Sequence, residues 1–142
     1  MTRASVAVDG QVVASIERGL LALVGVADGD GPADIDYTAS KIREMRIFAD
    51  EQGRMNRSVG EVGGGVLLVS QFTLLGDLRN GRRPGFTAAA PPATARALYE
   101  QLVQRLRDTG VPVASGVFQA HMQVDLVNDG PVTILLDSRK SF

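Results

Sequence analysis

Short apolar runs separated by turn chemistry occupy both ends of the chain, and longer stretches with a period of three to four lie between them. Ser5 to Val8 and Gln11 to Ile16 flank Asp9-Gly10. That dipeptide between β-favouring residues predicts a hairpin, because both residues tolerate the left-handed angles of a two-residue turn. Leu20 to Val26 is almost wholly apolar and predicts a buried strand. After Asp28-Gly29-Asp30-Gly31-Pro32, Ile35, Ala39, Ile42 and Met45 recur at helical spacing with Asp36, Lys41, Arg43 and Glu44 between them. This is an amphipathic helix with one face for the core. Arg46 to Ala49 reads as a short strand, and Asp50 to Gly65 as a polar, glycine-rich, flexible connector.

Val66 to Val69 predicts a short buried strand that delivers Ser70-Gln71-Phe72-Thr73-Leu74 at its end. A loop from Gly76 to Pro92 carries Arg79, Arg82 and Arg83. A second amphipathic helix, about Ala93 to Asp108, has Ala95, Leu98, Tyr99, Leu102, Val103 and Leu106 as its apolar stripe and Gly110 beyond its end. Val111 to Val117 and Phe118 to Val127 read as strands. In the second, alternation puts Phe118, Ala120, Met122, Val124 and Leu126 on one face. Asn128-Asp129-Gly130-Pro131 is turn chemistry, and Val132 to Leu136 is expected to close the sheet. No internal repeat or boundary divides residues 1–142, so the expectation is one α/β domain: a mostly antiparallel, barrel-like sheet with two amphipathic helices.

Composition narrows the chemistry. The 142 residues are 44% hydrophobic and 22% charged, the balance of a globular protein with a real core. No apolar run is long enough for a membrane span, and the first residues lack the pattern of a signal peptide. The absence of cysteine excludes disulfides and a thiol nucleophile, and fits a cytoplasmic enzyme. With one histidine, His121, and no clustered carboxylates, no protein metal site is expected. A net charge of −1 argues against indiscriminate nucleic-acid binding but leaves room for a local basic patch. Gly60, Gly63, Gly64 and Gly65 lack the Gly-Lys-Ser/Thr ending of a phosphate loop and precede a strand. Ser70 and Thr73 are possible nucleophiles, but neither has a base in sight. Catalysis must then lean on oriented donors, a positioned water or a group of the substrate.

Ser70-Gln71-Phe72-Thr73-Leu74, Gly81-Arg82-Arg83-Pro84-Gly85-Phe86 and Gly116-Val117-Phe118 through His121-Met122-Gln123-Val124 to Asn128-Asp129-Gly130-Pro131-Val132-Thr133 together resemble the D-aminoacyl-tRNA deacylases. Thr2-Arg3-Ala4-Ser5-Val6 and Gly53-Arg54-Met55-Asn56 extend the resemblance across the chain. It implies a cytoplasmic homodimer that hydrolyses the ester between a D-amino acid, or glycine mischarged on tRNA for alanine, and the terminal adenosine of tRNA. It implies no cofactor and no metal. Ser70, Gln71 and Thr73 then frame the scissile ester, and Phe72 packs near the terminal ribose or base. Phe118 and Met122 shape the adenine pocket, and Arg79, Arg82 and Arg83 meet acceptor-stem phosphates. Gly130 and Pro131, joined by a cis peptide, reach into the partner's site. Family members begin with a further apolar strand carrying a Gln-Arg pair, which this chain is expected to lack.

Such a site has a clear physical logic. D and L substrates differ only by exchanging a hydrogen and a side chain at one carbon. Two rigid carbonyls in the space that the L side chain needs reject every L-amino acid at once. Glycine has nothing to exclude and passes. Attack assisted by the 2′-hydroxyl of the terminal ribose is favoured over direct attack by Thr73. The other readings are a tRNA-binding protein with little turnover and a hydrolase of small metabolites.

Overall fold

The computed structural model describes Met1–Phe142. Strand β6, Gly65–Ser70, lies at the centre, and its alternation sorts the whole molecule. Val66 and Leu68 point to one side, into a cluster with Ile35, Ala39 and Ile42 of helix α1 (Pro32–Glu44) and Leu98, Tyr99, Leu102 and Leu106 of helix α2 (Pro92–Arg107). Leu67 and Val69 point to the other side, against Ala4 and Val6 of strand β1 (Arg3–Val8). All four of these β6 residues are at most 2% exposed. The result is three layers: helices, a central sheet and an outer sheet.

The outer sheet is β1 between β2 (Gln11–Ile16) and β8 (Gln123–Val127), all antiparallel. Its hairpin turns at Asp9 and Gly10, with φ of 50° and 79°, as the dipeptide predicts. The central sheet is β6 between β3 (Gly19–Val24) and β7 (Val113–Ser115), and it is parallel. Each of its connections contains a helix, and parallel neighbours need such crossovers. A two-stranded ribbon, β4 (Phe48–Ala49) with β5 (Met55–Arg57), completes the set. Three of the five strand pairings are antiparallel.

Both helices and the hairpin lie where the pattern put them, but several boundaries differ. β3 is an edge strand and only half-buried, because β6 covers one flank alone. Asp50 to Gly65 is more than a connector. It contains β5, and Val59 is fully buried in the helix-side core. Its end approaches β3 closely: a Cβ on Gly64 would lie 3.0 Å from the Arg18 carbonyl oxygen, and one on Gly19 would lie 1.8 Å from the carbonyl oxygen of Gly65. The strand expected from Phe118 begins only at Gln123, because the chain turns at Gln119 with φ of 65°. Val111 to Val117 contracts to the three residues of β7. Val132 to Leu136 does not close a sheet. Thr133 to Leu136 make no backbone hydrogen bond within the chain, although their composition is strand-like. A strand exists only where a neighbour supplies its donors and acceptors, and no free edge of this chain reaches it.

The tail beyond this segment folds back onto the start of α1. Asp34 accepts from the Gly31 N–H at 2.9 Å and from the Ser138 hydroxyl at 2.8 Å. The Gly31 N–H, then Ser138, hold its carboxyl below the usual range. The Ser141 hydroxyl, followed by the Arg139 N–H, does the same for Asp137. Carboxylates with depressed folded-state values stabilise above their unfolded range and lose that contribution as acid titrates them in the fold. The melting temperature should therefore be flat from pH 7 to about 5 and fall below about pH 4. Asp34→Asn should flatten part of that acid limb, and parallel melts at pH 7 and pH 3 measure it.

Candidate active site

β3 and β6 end at one level, and β7 ends two residues short of it. Val24 of β3 lies beside Ser70 of β6, and Ser115 of β7 lies beside Leu68. The carboxyl ends of parallel strands are where the chain opens into loops, and ligands of open α/β sheets bind there. Ser70 is the last residue of β6, half-buried, and the chain then tightens into a 3₁₀ turn at Phe72–Leu75. The Gln71 N–H holds this turn to β3 by donating to the Val24 carbonyl at 2.7 Å. The Gln71 side-chain amide donates to Thr73 Oγ1 at 3.1 Å. Phe72 is 57% exposed, and the ring of Phe86 meets it edge-on at 5.0 Å.

The loop after this turn is pinned by paired hydrogen bonds between Asp77 and Gly85, at 2.8 and 2.9 Å. Arg79 closes onto the Asp77 carboxylate through Nε and Nη2, the latter at 2.7 Å. The Arg79 side chain, then its backbone N–H, bring the Asp77 carboxyl down to about 2. The same contact raises the Arg79 guanidinium. Arg82 and Arg83 are exposed and make no ion pair.

Phe118 and Met122 lie beyond the end of β7 on different sides of the central sheet. Phe118 packs against the helix-side core, with the Tyr99 ring 6.1 Å away and the Arg96 guanidinium 5.1 Å above its own ring. Met122 packs into the core between the two sheets, and its sulfur lies 2.8 Å from where a Cβ on Gly116 would stand. The Gly116 N–H donates to the Leu68 carbonyl at 2.8 Å, which ties this stretch to β6 two residues before Ser70.

Tyr99 was legible in the sequence only as part of an apolar stripe. Its hydroxyl donates to the same Leu68 carbonyl at 2.8 Å and lies 2.6 Å from Ser115 Oγ. Burial, the largest cause, raises its phenol above the ordinary value. A tyrosine inside an apolar stripe is itself a signal, since a buried hydroxyl needs a partner. Tyr99→Phe should cost about 1 kcal/mol of unfolding free energy, since Leu68 keeps the Gly116 bond. A shift of the urea midpoint at unchanged slope measures it.

The bond between Gly130 and Pro131 is cis, and Gly130 has φ of +144°. Asn128 staples this turn: its Oδ1 accepts from the Val132 N–H at 3.1 Å, and its amide donates to Thr133 Oγ1 at 3.2 Å. Both Gly130 and Pro131 are exposed, and no hydrogen bond joins them to Ser70, Gln71 or Thr73 within the chain. The structure thus brings Ser70, Gln71, Phe72 and Thr73 together and leaves the Gly130–Pro131 turn apart from them in the chain. His121 is exposed and makes no hydrogen bond through its ring. A depression of about 710 Å³ lies at the opposite ends of β6 and β7, between Arg43, Arg46, Gly60, Gly63 and Thr109. None of the predicted residues lines it.

A family model for D-Tyr-tRNA(Tyr) deacylase matches residues 1–137. The chain belongs to the D-aminoacyl-tRNA deacylase family. A D-aminoacyl-tRNA deacylase of Anaeromyxobacter dehalogenans (strain 2CP-C) is 59% identical over all of this chain and 95% of its own length. One from Symbiobacterium thermophilum is 56% identical, over 100% of this chain and 94% of that protein. Among solved structures, a c-Myc DNA Unwinding Element Binding Protein superposes with a TM-score of 0.88 at 38% identity, covering 94% of this chain and 91% of that one. A probable eukaryotic D-amino acid tRNA deacylase superposes at 0.69 with 17% identity, covering 88% of each chain, which is likeness of fold. The deacylase fold therefore places the Ser70–Leu74 motif at the shared end of three parallel strands. No helix of the chain is long and apolar enough to cross a membrane.

Proposed function

We propose that the chain hydrolyses the ester between a D-amino acid and the terminal adenosine of tRNA, accepts glycine mischarged on tRNA for alanine, and rejects L-substrates with the carbonyls of Gly130 and Pro131. Family membership over the whole chain carries the deacylase activity itself, hydrolysis of a carboxylic ester. The observation that bears on how the ester is attacked is the arrangement of Gln71 and Thr73. The Gln71 amide nitrogen faces Thr73 Oγ1 and donates to it. An amide is no base, so it does not activate Thr73 for attack. It fills an acceptor site of the hydroxyl and leaves the hydroxyl proton to point outward. Thr73 then serves as a donor to the ester carbonyl as charge develops there. The nucleophile is water, assisted by the 2′-hydroxyl of the terminal ribose.

Phe72, open on one side and braced by Phe86 on the other, offers a ring for the terminal base. Phe118 and Met122 shape the pocket from behind, held by Arg96 and Tyr99 on one side and the sheet core on the other. Arg82 and Arg83 meet acceptor-stem phosphates. Arg79 contributes less, because Asp77 already holds it.

The working unit in this reading is a homodimer in the cytoplasm. Val124, Leu126 and Val127 of β8 and the unpaired Ile134, Leu135 and Leu136 are all exposed apolar side chains. An open strand-like edge of this kind calls for a partner, and a second copy supplies a matching one. That copy brings Gly130 and Pro131 to a Ser70–Thr73 turn that one subunit leaves without them. Incubation with D-tyrosyl-tRNA, its L counterpart and a small D-amino ester tests the function. Selective release from the first supports it. Binding without release points to a tRNA-binding protein, and preference for the small ester points to a metabolite hydrolase. Thr73→Ala is expected to slow deacylation about 10²-fold, the cost of losing one such donor. Complete loss in single-turnover assays would instead assign Thr73 the attack.

A further inference from the structure

The Gly130–Pro131 turn is carried on a span with two anchored ends. One end is β8, where Val127 accepts from the Thr2 N–H at 3.1 Å and pairs with Arg3. From Thr133 to Leu136 the span makes no backbone hydrogen bond. The other end is the tail that begins at Asp137. Arg139 Nη2 donates to the Asp28 carbonyl at 2.7 Å and to Asp30 Oδ1 at 2.8 Å. Ser138 Oγ donates to Asp34 Oδ1 at 2.8 Å. The second oxygens of both carboxylates accept backbone N–H groups, Asp30 from Ala27 at 2.8 Å and Asp34 from Gly31 at 2.9 Å. The acceptors are therefore fixed before the tail arrives. The Asp30 side chain is only 13% exposed.

The loop that receives the tail continues from the end of β3, which holds the other half of the site. Val24 accepts from the Gln71 N–H at 2.7 Å, and Val26 from the Ala90 N–H at 2.9 Å. The Asp28 N–H donates to the Ala88 carbonyl at 2.8 Å, two residues beyond Phe86. A single segment, Val24 to Asp34, thus grips the Ser70–Thr73 turn, the Phe86 loop and the C-terminal tail.

We propose that Arg139 and Ser138 are positioning residues that clamp the Gly130–Pro131 span onto the segment holding the Ser70–Thr73 turn, and so set the aim of its carbonyls at the aminoacyl end of the substrate. This rests on the reading of Gly130 and Pro131 given above. In a two-subunit enzyme the clamp carries alignment from one subunit's Ser70–Thr73 turn to the turn that the same subunit offers its partner. Neither residue touches the substrate. Both act through a span that makes no backbone hydrogen bond from Thr133 to Leu136, and the Lys140 ammonium, 5.6 Å from the Tyr37 ring centroid, adds a weaker hold beyond them.

Three variants test the clamp in the full chain: Arg139→Ala, Arg139→Lys and Ser138→Ala. Each is assayed for kcat and KM on D-tyrosyl-tRNA, for the D-over-L ratio, and for melting temperature and sedimentation. Arg139→Ala should lower kcat about tenfold or more, since small misplacements far from the chemistry act on that scale, with KM little changed. The D-over-L ratio should fall with it. Arg139→Lys should recover part of both, because an ammonium still reaches one acceptor. If Arg139→Ala does not fold, Ser138→Ala, which removes one hydrogen bond, is read for the same loss of kcat and ratio. Unchanged kcat and D-over-L ratio in whichever of the two folds, with or without a lower melting temperature, would overturn the proposal. Gly130→Ala runs alongside. Normal selectivity there means that the Gly130–Pro131 reading has failed and takes the clamp with it. Impaired selectivity there with normal Arg139→Ala means that the clamp alone has failed.

Discussion

Gly130→Ala is expected to lower deacylation of D-aminoacyl-tRNA by about two orders of magnitude, the cost of displacing a positioning group by roughly 1 Å. The folding transition should fall only modestly, by about 1 kcal/mol, because the strain is confined to an exposed turn that belongs to no element. The reason is local. Gly130 has φ of +144°, where an L side chain is strained. A Cβ there would stand 2.9 Å from Val132 Cγ2 and 3.1 Å from the Val132 nitrogen. That nitrogen is also the donor to Asn128 Oδ1. Relief of the clash must therefore turn the backbone between Asn128 and Val132 and redirect the carbonyls on either side of Pro131. Single-turnover rates on D- and L-tyrosyl-tRNA, with denaturation curves as control, give the answer. A variant that keeps both the rate and the preference for D would remove Gly130 from the mechanism.

Leu67→Ala should be among the most damaging single changes to stability. Leu67 is fully buried between the sheets, with Ala4, Val6 and Val69 as neighbours in its cluster. Truncation there loses the transfer energy of three carbons and leaves a cavity that two rigid sheets cannot close. About 3 to 5 kcal/mol is the expected loss, against a total stability of roughly 5 to 15 kcal/mol. Chemical denaturation at fixed protein concentration measures it, since association also contributes to the apparent stability of an oligomer. Leu135→Ala is the contrast. That side chain is 72% exposed, so its removal should leave the chain's own core intact and, in the homodimer proposed above, act on association. A loss under 1 kcal/mol at Leu67 would mean that the two-sheet core is far softer than its burial implies.

Much of this architecture was legible beforehand. Helix periodicity located α1 and α2 to within a few residues, because the apolar stripe that packs on β6 has to be written into the spacing itself. Asp9-Gly10 announced its hairpin for a similar reason: the backbone angles are a property of the two residues. The Ser70–Thr73 motif was placed correctly at the end of a buried strand. Phe118 and Met122 were not. Alternation put them on one face, but the turn at Gln119 sends one to the helix side of the central sheet and the other to the space between sheets. Arg79 looked like a free cation until Asp77 was found beneath it.

The family, the helices, the turns and the motif residues were thus properties of the sequence, because each rests on contacts between residues close in the chain or on residue identity alone. Only the tertiary structure decided that β3, β6 and β7 run parallel, that Tyr99 reaches Leu68 and Ser115, and that Val132 to Leu136 stays unpaired within the chain. Those facts depend on which distant backbone supplies a hydrogen-bond partner. A strand's own residues encode a preference for being paired, and they do not encode with whom.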